Sequence, residues 1–138
     1  IPGITAACSG AAVLGAPLIH DFAVISLSDL LTPWEKIEKR LRMAAEADFV
    51  VCLYNPKSKK RHDYIDKAAD IMHCAKAWDT PCGYVKNIGR EGEKAIVCTM
   101  ADLKDNDDID MFTTVFIGNS ATKVINGKLV TPRGYKNI

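Results

Sequence analysis

The chain has 138 residues, enough for one domain with a real core and too few for two ordinary ones. Hydrophobic residues make up 48% and charged residues 25%, the balance of a globular domain. Eighteen Lys+Arg against seventeen Asp+Glu leave a formal charge of +1, so no global field recruits nucleic acid or an anionic membrane.

After Pro2-Gly3, Thr5 is placed to cap a helix of small residues running from Ala6 to about Leu14. Such a helix can bring its backbone close to a neighbour or to a ligand, and ordinary tight packing explains it equally well. Gly15 ends it, with Pro17 two residues on. Phe22–Leu27 reads as a strand bounded by polar residues. Thr32-Pro33 then opens a helix to about Ala47, with Trp34, Ile37, Leu41 and Ala44 or Ala45 on one apolar face. The unbroken apolar run Asp48–Tyr54 predicts a strand buried on both faces. A long helix is expected from Lys59 or Arg61 to Trp78.

Strands follow at Gly83–Lys86, Ala95–Thr99 and Thr114–Ile117, with a short helix near Met100–Lys104. Val124–Val130 centres on Asn126-Gly127, a pair suited to the type I′ turn of a hairpin. Strands alternating with helices predict an α/β domain, a three-layer α/β/α sandwich with a mixed sheet and a C-terminal β-hairpin. The longest apolar stretches fall far short of the roughly 20 residues a spanning helix needs.

Five cysteines (Cys8, Cys52, Cys74, Cys82 and Cys98) form no C-x-x-C pair, which argues against a zinc site or a disulfide scaffold. Free, mostly buried thiols in a reducing compartment, the cytoplasm, are expected. Ile1 is no initiator Met, and the opening segment lacks the basic region of a signal peptide, so the chain reads as part of a longer protein.

No phosphate loop, dinucleotide fingerprint, nucleophile elbow or zincin motif is present. The acidic stretch Asp105–Asp110 has Asp110 where a calcium loop needs Gly and reads as a solvated turn. The concentrated charge lies in Lys57-Ser58-Lys59-Lys60-Arg61. Placed at a helix start, where the macrodipole disfavours cations, and beyond the end of a buried strand, it suits a polyanionic ligand as well as a solvated face. His20-Asp21, at a strand entrance, is either a structural pair or a proton shuttle.

The opening Ile1–Ala7, followed by Gly15–Asp21, resembles the P-G-I-T-A-A…G-x-P-L-x-H segment of the tetrapyrrole (corrin/porphyrin) methylases. His20–Trp34, Leu53–Pro56, Asn87–Gly92, Thr113–Ser120 and Thr131–Tyr135 resemble, within that family, the precorrin-3B C17-methyltransferase branch of cobalamin biosynthesis. The resemblance spans essentially the whole chain and implies the C-terminal domain, residues 1–138, of a two-domain, homodimeric enzyme whose N-terminal domain has no counterpart here. It further implies S-adenosylmethionine as methyl donor, a precorrin as substrate and no metal, with neither nucleic acid nor membrane as partner.

On that resemblance Thr5, Ala6, Tyr54 and Ile88 fall at cofactor-binding positions. His20 and Asp21 are the expected proton-transfer pair, with Asn55 and Arg90 facing the tetrapyrrole. Lys57, Lys59, Lys60, Arg61 and Arg90 are the expected partners of its carboxylate fringe. In-line methyl transfer needs no covalent nucleophile, and aligning the reactants can be worth about 7–11 kcal/mol. Two other readings stand beside this one: a sibling methylase acting at another ring position, and a non-catalytic module that dimerises or binds a polyanion.

Overall fold

The computed structural model describes residues 1–135. Helix α1 spans Ala6–Leu14 and gives way at Gly15 to the two-residue strand β1 (Gly15–Ala16). Gly15 takes φ +140°, and a Cβ there would lie 2.7 Å from the Leu129 carbonyl oxygen, so the junction requires glycine. Strand β2 (Phe22–Ser26) leads to helix α2 (Trp34–Glu46), strand β3 (Val50–Tyr54) and helix α3 (Tyr64–Met72). Strands β4 (Pro81–Lys86) and β5 (Lys94–Thr99) form an antiparallel pair, and a single 3₁₀ turn at Ala101–Leu103 follows. Strand β6 (Thr113–Ile117) precedes the hairpin of β7 (Lys123–Ile125) and β8 (Lys128–Val130). Positive φ at Asn126 (49°) and Gly127 (73°) fits the expected turn.

The central sheet has the order β2-β3-β6-β4-β5. Strands β2, β3 and β4 run parallel, while β6 and β5 run against them. On one face, Ile37 and Leu41 of α2 and Ile65 and Met72 of α3 pack on Val51, Leu53, Val115 and Ile117. The other face carries α1 and the small sheet β1-β8-β7, with Ala7, Ala11, Leu14 and Leu129 set on Cys52, Val85 and Phe116. This is the expected three-layer sandwich. Strict alternation along β3 divides the two clusters: Val51 and Leu53 face one way, Cys52 and Tyr54 the other.

Several local expectations need correction. Helix α2 starts at Trp34, with Pro33 in extended conformation as its cap and no side-chain cap bond from Thr32. Helix α3 is about half the expected length. Its start moves to Tyr64 because Ser58 and Arg61 exchange backbone hydrogen bonds (3.3 and 3.1 Å) that close a tight turn. After Met72 the chain leaves the helix, and His73 stacks on Trp78 with ring centroids 4.2 Å apart. The thiols are free, but Cys8 and Cys74 are exposed. Burial of Cys52 and Cys98 pushes both thiols up to about 12.

Candidate functional site

The sheet has two ends, and the chain reversal at each strand decides which residues gather there. At one end lie the C-termini of the parallel strands β2, β3 and β4 together with the N-termini of β6 and β5. Asn55 and Asn87, directly after β3 and β4, both turn the chain away in the left-handed region, with φ 53° and 49°. Their side chains tie these turns down: Asn55 donates to the Ser26 hydroxyl on β2 at 2.9 Å, and Asn87 to the Gly92 carbonyl at 3.4 Å. Between these turns opens a cleft of about 300 Å³, lined by Ala6, Tyr54, Asn55, Asn87, Ile88 and Arg90. Met111, Phe112, Thr113 and Thr114, at the start of β6 between those two strands, complete the lining.

Tyr54 builds the corner of this cleft. Its hydroxyl accepts the Ala7 N–H at 2.9 Å and shares a hydrogen bond with Thr5 Oγ1 at 2.5 Å. Thr5 is the N-cap residue as expected but makes no side-chain cap bond, because the phenol from β3 takes the helix N–H that a capping side chain would normally satisfy. The small-residue character of α1 brings it onto the sheet. A Cβ on Gly10 would lie 2.9 Å from the Phe116 ring and 3.1 Å from Ile88 Cδ1, so any larger residue pushes the helix away. Ala6 thereby stands at the cleft rim with no bulk across the opening.

The part of the cleft at Met111 and Phe112 is a short loop before β6, held by charge. Asp110 accepts from the Phe112 N–H (2.9 Å) and from Thr113 Oγ1 (3.0 Å), and pairs with Lys86 at 3.2 Å. Asp108 receives Lys94 (2.8 Å), Tyr84 (2.9 Å) and Lys86 (3.1 Å). Lys94 foremost, then Tyr84 and Lys86, hold its carboxyl down to about 2 against the opposing effect of burial. The acidic stretch is therefore a built support and not merely a solvated turn. Among the described residues no three metal-binding side chains cluster.

The cation run lies on a loop before α3, with Asp63 at the helix N-terminus. The macrodipole argument for a misplaced charge accordingly falls away, and position alone remains: the run follows the end of β3. Its members have different duties. Arg61 Nε lies 2.8 Å from Asp29 Oδ1, and Lys57 donates to the Asn106 carbonyl at 2.8 Å. Lys59, Lys60 and Arg90 have no acidic partner among the described residues.

His20 and Asp21 do not join this site. They precede β2 and so stand at the other end of the sheet, beside Asp48, Asn119 and Thr131. The five residues of β2 separate them from Ser26 by about 17 Å at 3.3 Å per residue. Both are largely exposed, and His20 Nε2 is 3.6 Å from Asp21 Oδ2, too far for the hydrogen bond that would fix a tautomer. Met111, Phe112 and Asn87 are cleft residues that sequence reasoning missed. Only the left-handed Asn, a common signal after a strand, had a trace in the sequence.

The family profile described as Tetrapyrrole (Corrin/Porphyrin) Methylases matches residues 1–104. A probable cobalt-factor III C(17)-methyltransferase of Methanocaldococcus jannaschii is 52% identical over 141 residues, covering 98% of this chain and 57% of its own length. A probable enzyme of the same name from Salmonella typhimurium is 50% identical over 135 residues, covering 98% and 56%. The crystal structure of the methyltransferase CobJ superposes with TM-score 0.87 at 38% identity, covering 95% of this chain and 54% of that one. The chain thus spans about half the length of the curated relatives it matches.

Proposed function

Since the chain belongs to the tetrapyrrole (corrin/porphyrin) methylases, we propose that it is the C-terminal half of a C-methyltransferase of cobalamin biosynthesis. The reaction is methylation of precorrin-3B or cobalt-precorrin-3 at C17 with ring contraction, in the cytoplasm, by a homodimer that includes an N-terminal domain beyond this chain. The observation that carries the reading is the cleft at the strand ends, where Ala6, Tyr54 and Ile88 meet although 34 or more residues separate each from the next.

The donor, S-adenosylmethionine, supplies an electrophilic methyl group on a sulfonium. The cleft fits such a group on its own terms: small at Ala6, apolar at Ile88 and about 300 Å³ in volume. Tyr54 fixes the start of α1 through Thr5 and Ala7, so the cleft wall is set before anything binds. Asn55 and Arg90 line the same opening, which supports their reading as substrate-facing residues. Lys59 and Lys60, with Lys57 beside them, supply cations for ring carboxylates, while Arg61 holds its loop to Asp29. Alignment of donor and acceptor and exclusion of water are what this geometry offers.

Incubating the full-length protein with carbon-13-labelled methyl donor and, in separate reactions, precorrin-3B, cobalt-precorrin-3 and cobalt-factor III, followed by NMR of the product, tests the proposal. A labelled methyl on C17 is expected. Transfer to another ring carbon would point to a sibling methylase, and no transfer at all to a binding module.

A further inference from the structure

The central sheet ends on one side in β2, and that edge is bare. The Leu27 N–H reaches the Tyr54 carbonyl of β3 at 2.9 Å, so alternation turns the backbone groups of Ile25 and Ala23 toward β3 as well. The N–H and C=O of Phe22, Val24 and Ser26 therefore point away from β3, and among the described residues nothing takes them up. The same three side chains lie on the sheet face opposite α2 and stay in solvent: Phe22 is 38% exposed and Val24 46%. Other open edges of the fold are protected. Strand β1 is two residues long, and β5 and β7 begin with Lys94 and Lys123. Strand β2 carries no charge, no proline and no bulge in its register with β3, and an unprotected apolar edge of this kind is a pairing site.

The strand is complementary to itself. Laid antiparallel against a second β2 about a two-fold axis at Val24, Phe22 meets Ser26 and Ala23 meets Ile25. Each large side chain then faces a small one, and Val24 faces its own copy. Because the outward backbone groups belong to Phe22, Val24 and Ser26, these same pairings close with N–H···O=C bonds in both directions. Asp21, next along, meets Leu27, so no carboxylate opposes another. We infer that β2 is the seam between two copies of this chain and joins their central sheets edge to edge. This rests on the reading of the protein as a homodimeric methylase and assigns that homodimer its surface.

The test uses the full-length protein, with sedimentation velocity for the dimer and amide hydrogen exchange read by NMR for the edge. The parent should sediment as a dimer in which the Phe22, Val24 and Ser26 amides exchange as slowly as those of Ala23 and Ile25. Exchange at a dilution that yields monomer should be at least about a hundredfold faster for the first three and leave the last two protected. Val24→Lys sets two ammonium groups side by side at the axis and should raise the dimer dissociation constant at least about a hundredfold. Mixing it in equal amounts with Val24→Glu should restore dimers. A parent dimer with fast exchange at Phe22, Val24 and Ser26 overturns the inference and spares the homodimer. Slow exchange that persists in the monomer overturns it as well, since the rest of the same chain then covers the edge. So does a Val24→Lys dimer as tight as the parent's, or a Lys–Glu mixture that stays monomeric. A parent that binds S-adenosylhomocysteine as a monomer removes the seam and the homodimer together and leaves the methylase reading standing.

Discussion

Replacing Tyr54 with Phe removes one oxygen and no packing volume, which makes it the cleanest probe of the cleft corner. The hydroxyl satisfies the Ala7 N–H at 2.9 Å and pairs with Thr5 at 2.5 Å. Thr5 is exposed and finds water in its place, whereas the Ala7 N–H is partly buried and loses its partner. A donor left in that state costs about 1–1.5 kcal/mol, the lower part of the range for buried groups. At about 2.1 cal/mol/K per residue over a unit of this size, the variant should melt about 3–5 °C lower. If the same energy holds the start of α1 in its binding position, affinity for S-adenosylhomocysteine falls about five- to tenfold. Differential scanning calorimetry and isothermal titration measure the two effects. A Tm drop with no change in affinity would refute the claim that Tyr54 sets the cleft, and no change in either would refute the hydrogen-bond argument itself.

Gly10→Ala places a methyl 2.9 Å from the Phe116 ring, so the usual helix gain of about 1 kcal/mol from Gly to Ala should be outweighed by about 1–3 kcal/mol of overpacking. A urea midpoint above the parent's would contradict the close approach of α1. Asp108 has its carboxyl lowered from 3.8 to about 2, so its contribution is complete above 3.8 and fades as pH falls toward about 2. Stability measured across that window should slope downward with acid, and Asp108→Asn should flatten the slope; parallel curves for the two proteins would count against the Lys86–Lys94–Asp108 support. His20→Ala should leave turnover of the full-length enzyme within about threefold, because β2 separates it from the cleft by about 17 Å. A loss of a hundredfold or more would return His20 to the reaction.

How much was legible in the sequence differs from element to element. Strand β3 and the Asn126-Gly127 hairpin were readable because an unbroken apolar run and a left-handed pair each have one structural use. Helix α3 was misjudged at its start. The Ser58–Arg61 turn is closed by backbone bonds and tethered to Asp29, a residue 32 positions away, and no local pattern reveals such a partner. Ala6, Tyr54 and Ile88 were found through resemblance, and they line one cleft. His20-Asp21 fits the strand-entrance pattern but stands at the end of the sheet opposite that cleft, for the entrance of a parallel strand and its exit lie a strand's length apart. Met111 and Phe112 left no signal, since an apolar pair in sequence reads as core and only the fold shows that it is exposed.

Amide chemical-shift mapping of the isotope-labelled full-length protein during titration with S-adenosylhomocysteine puts the cleft assignment to its sharpest trial. Shifts concentrated at Ala6, Ala7, Tyr54, Asn55, Asn87 and Ile88, with little change around His20 and Asn119, are the predicted result. Saturable binding whose shifts instead centre on the His20 and Asn119 end of the sheet would contradict it.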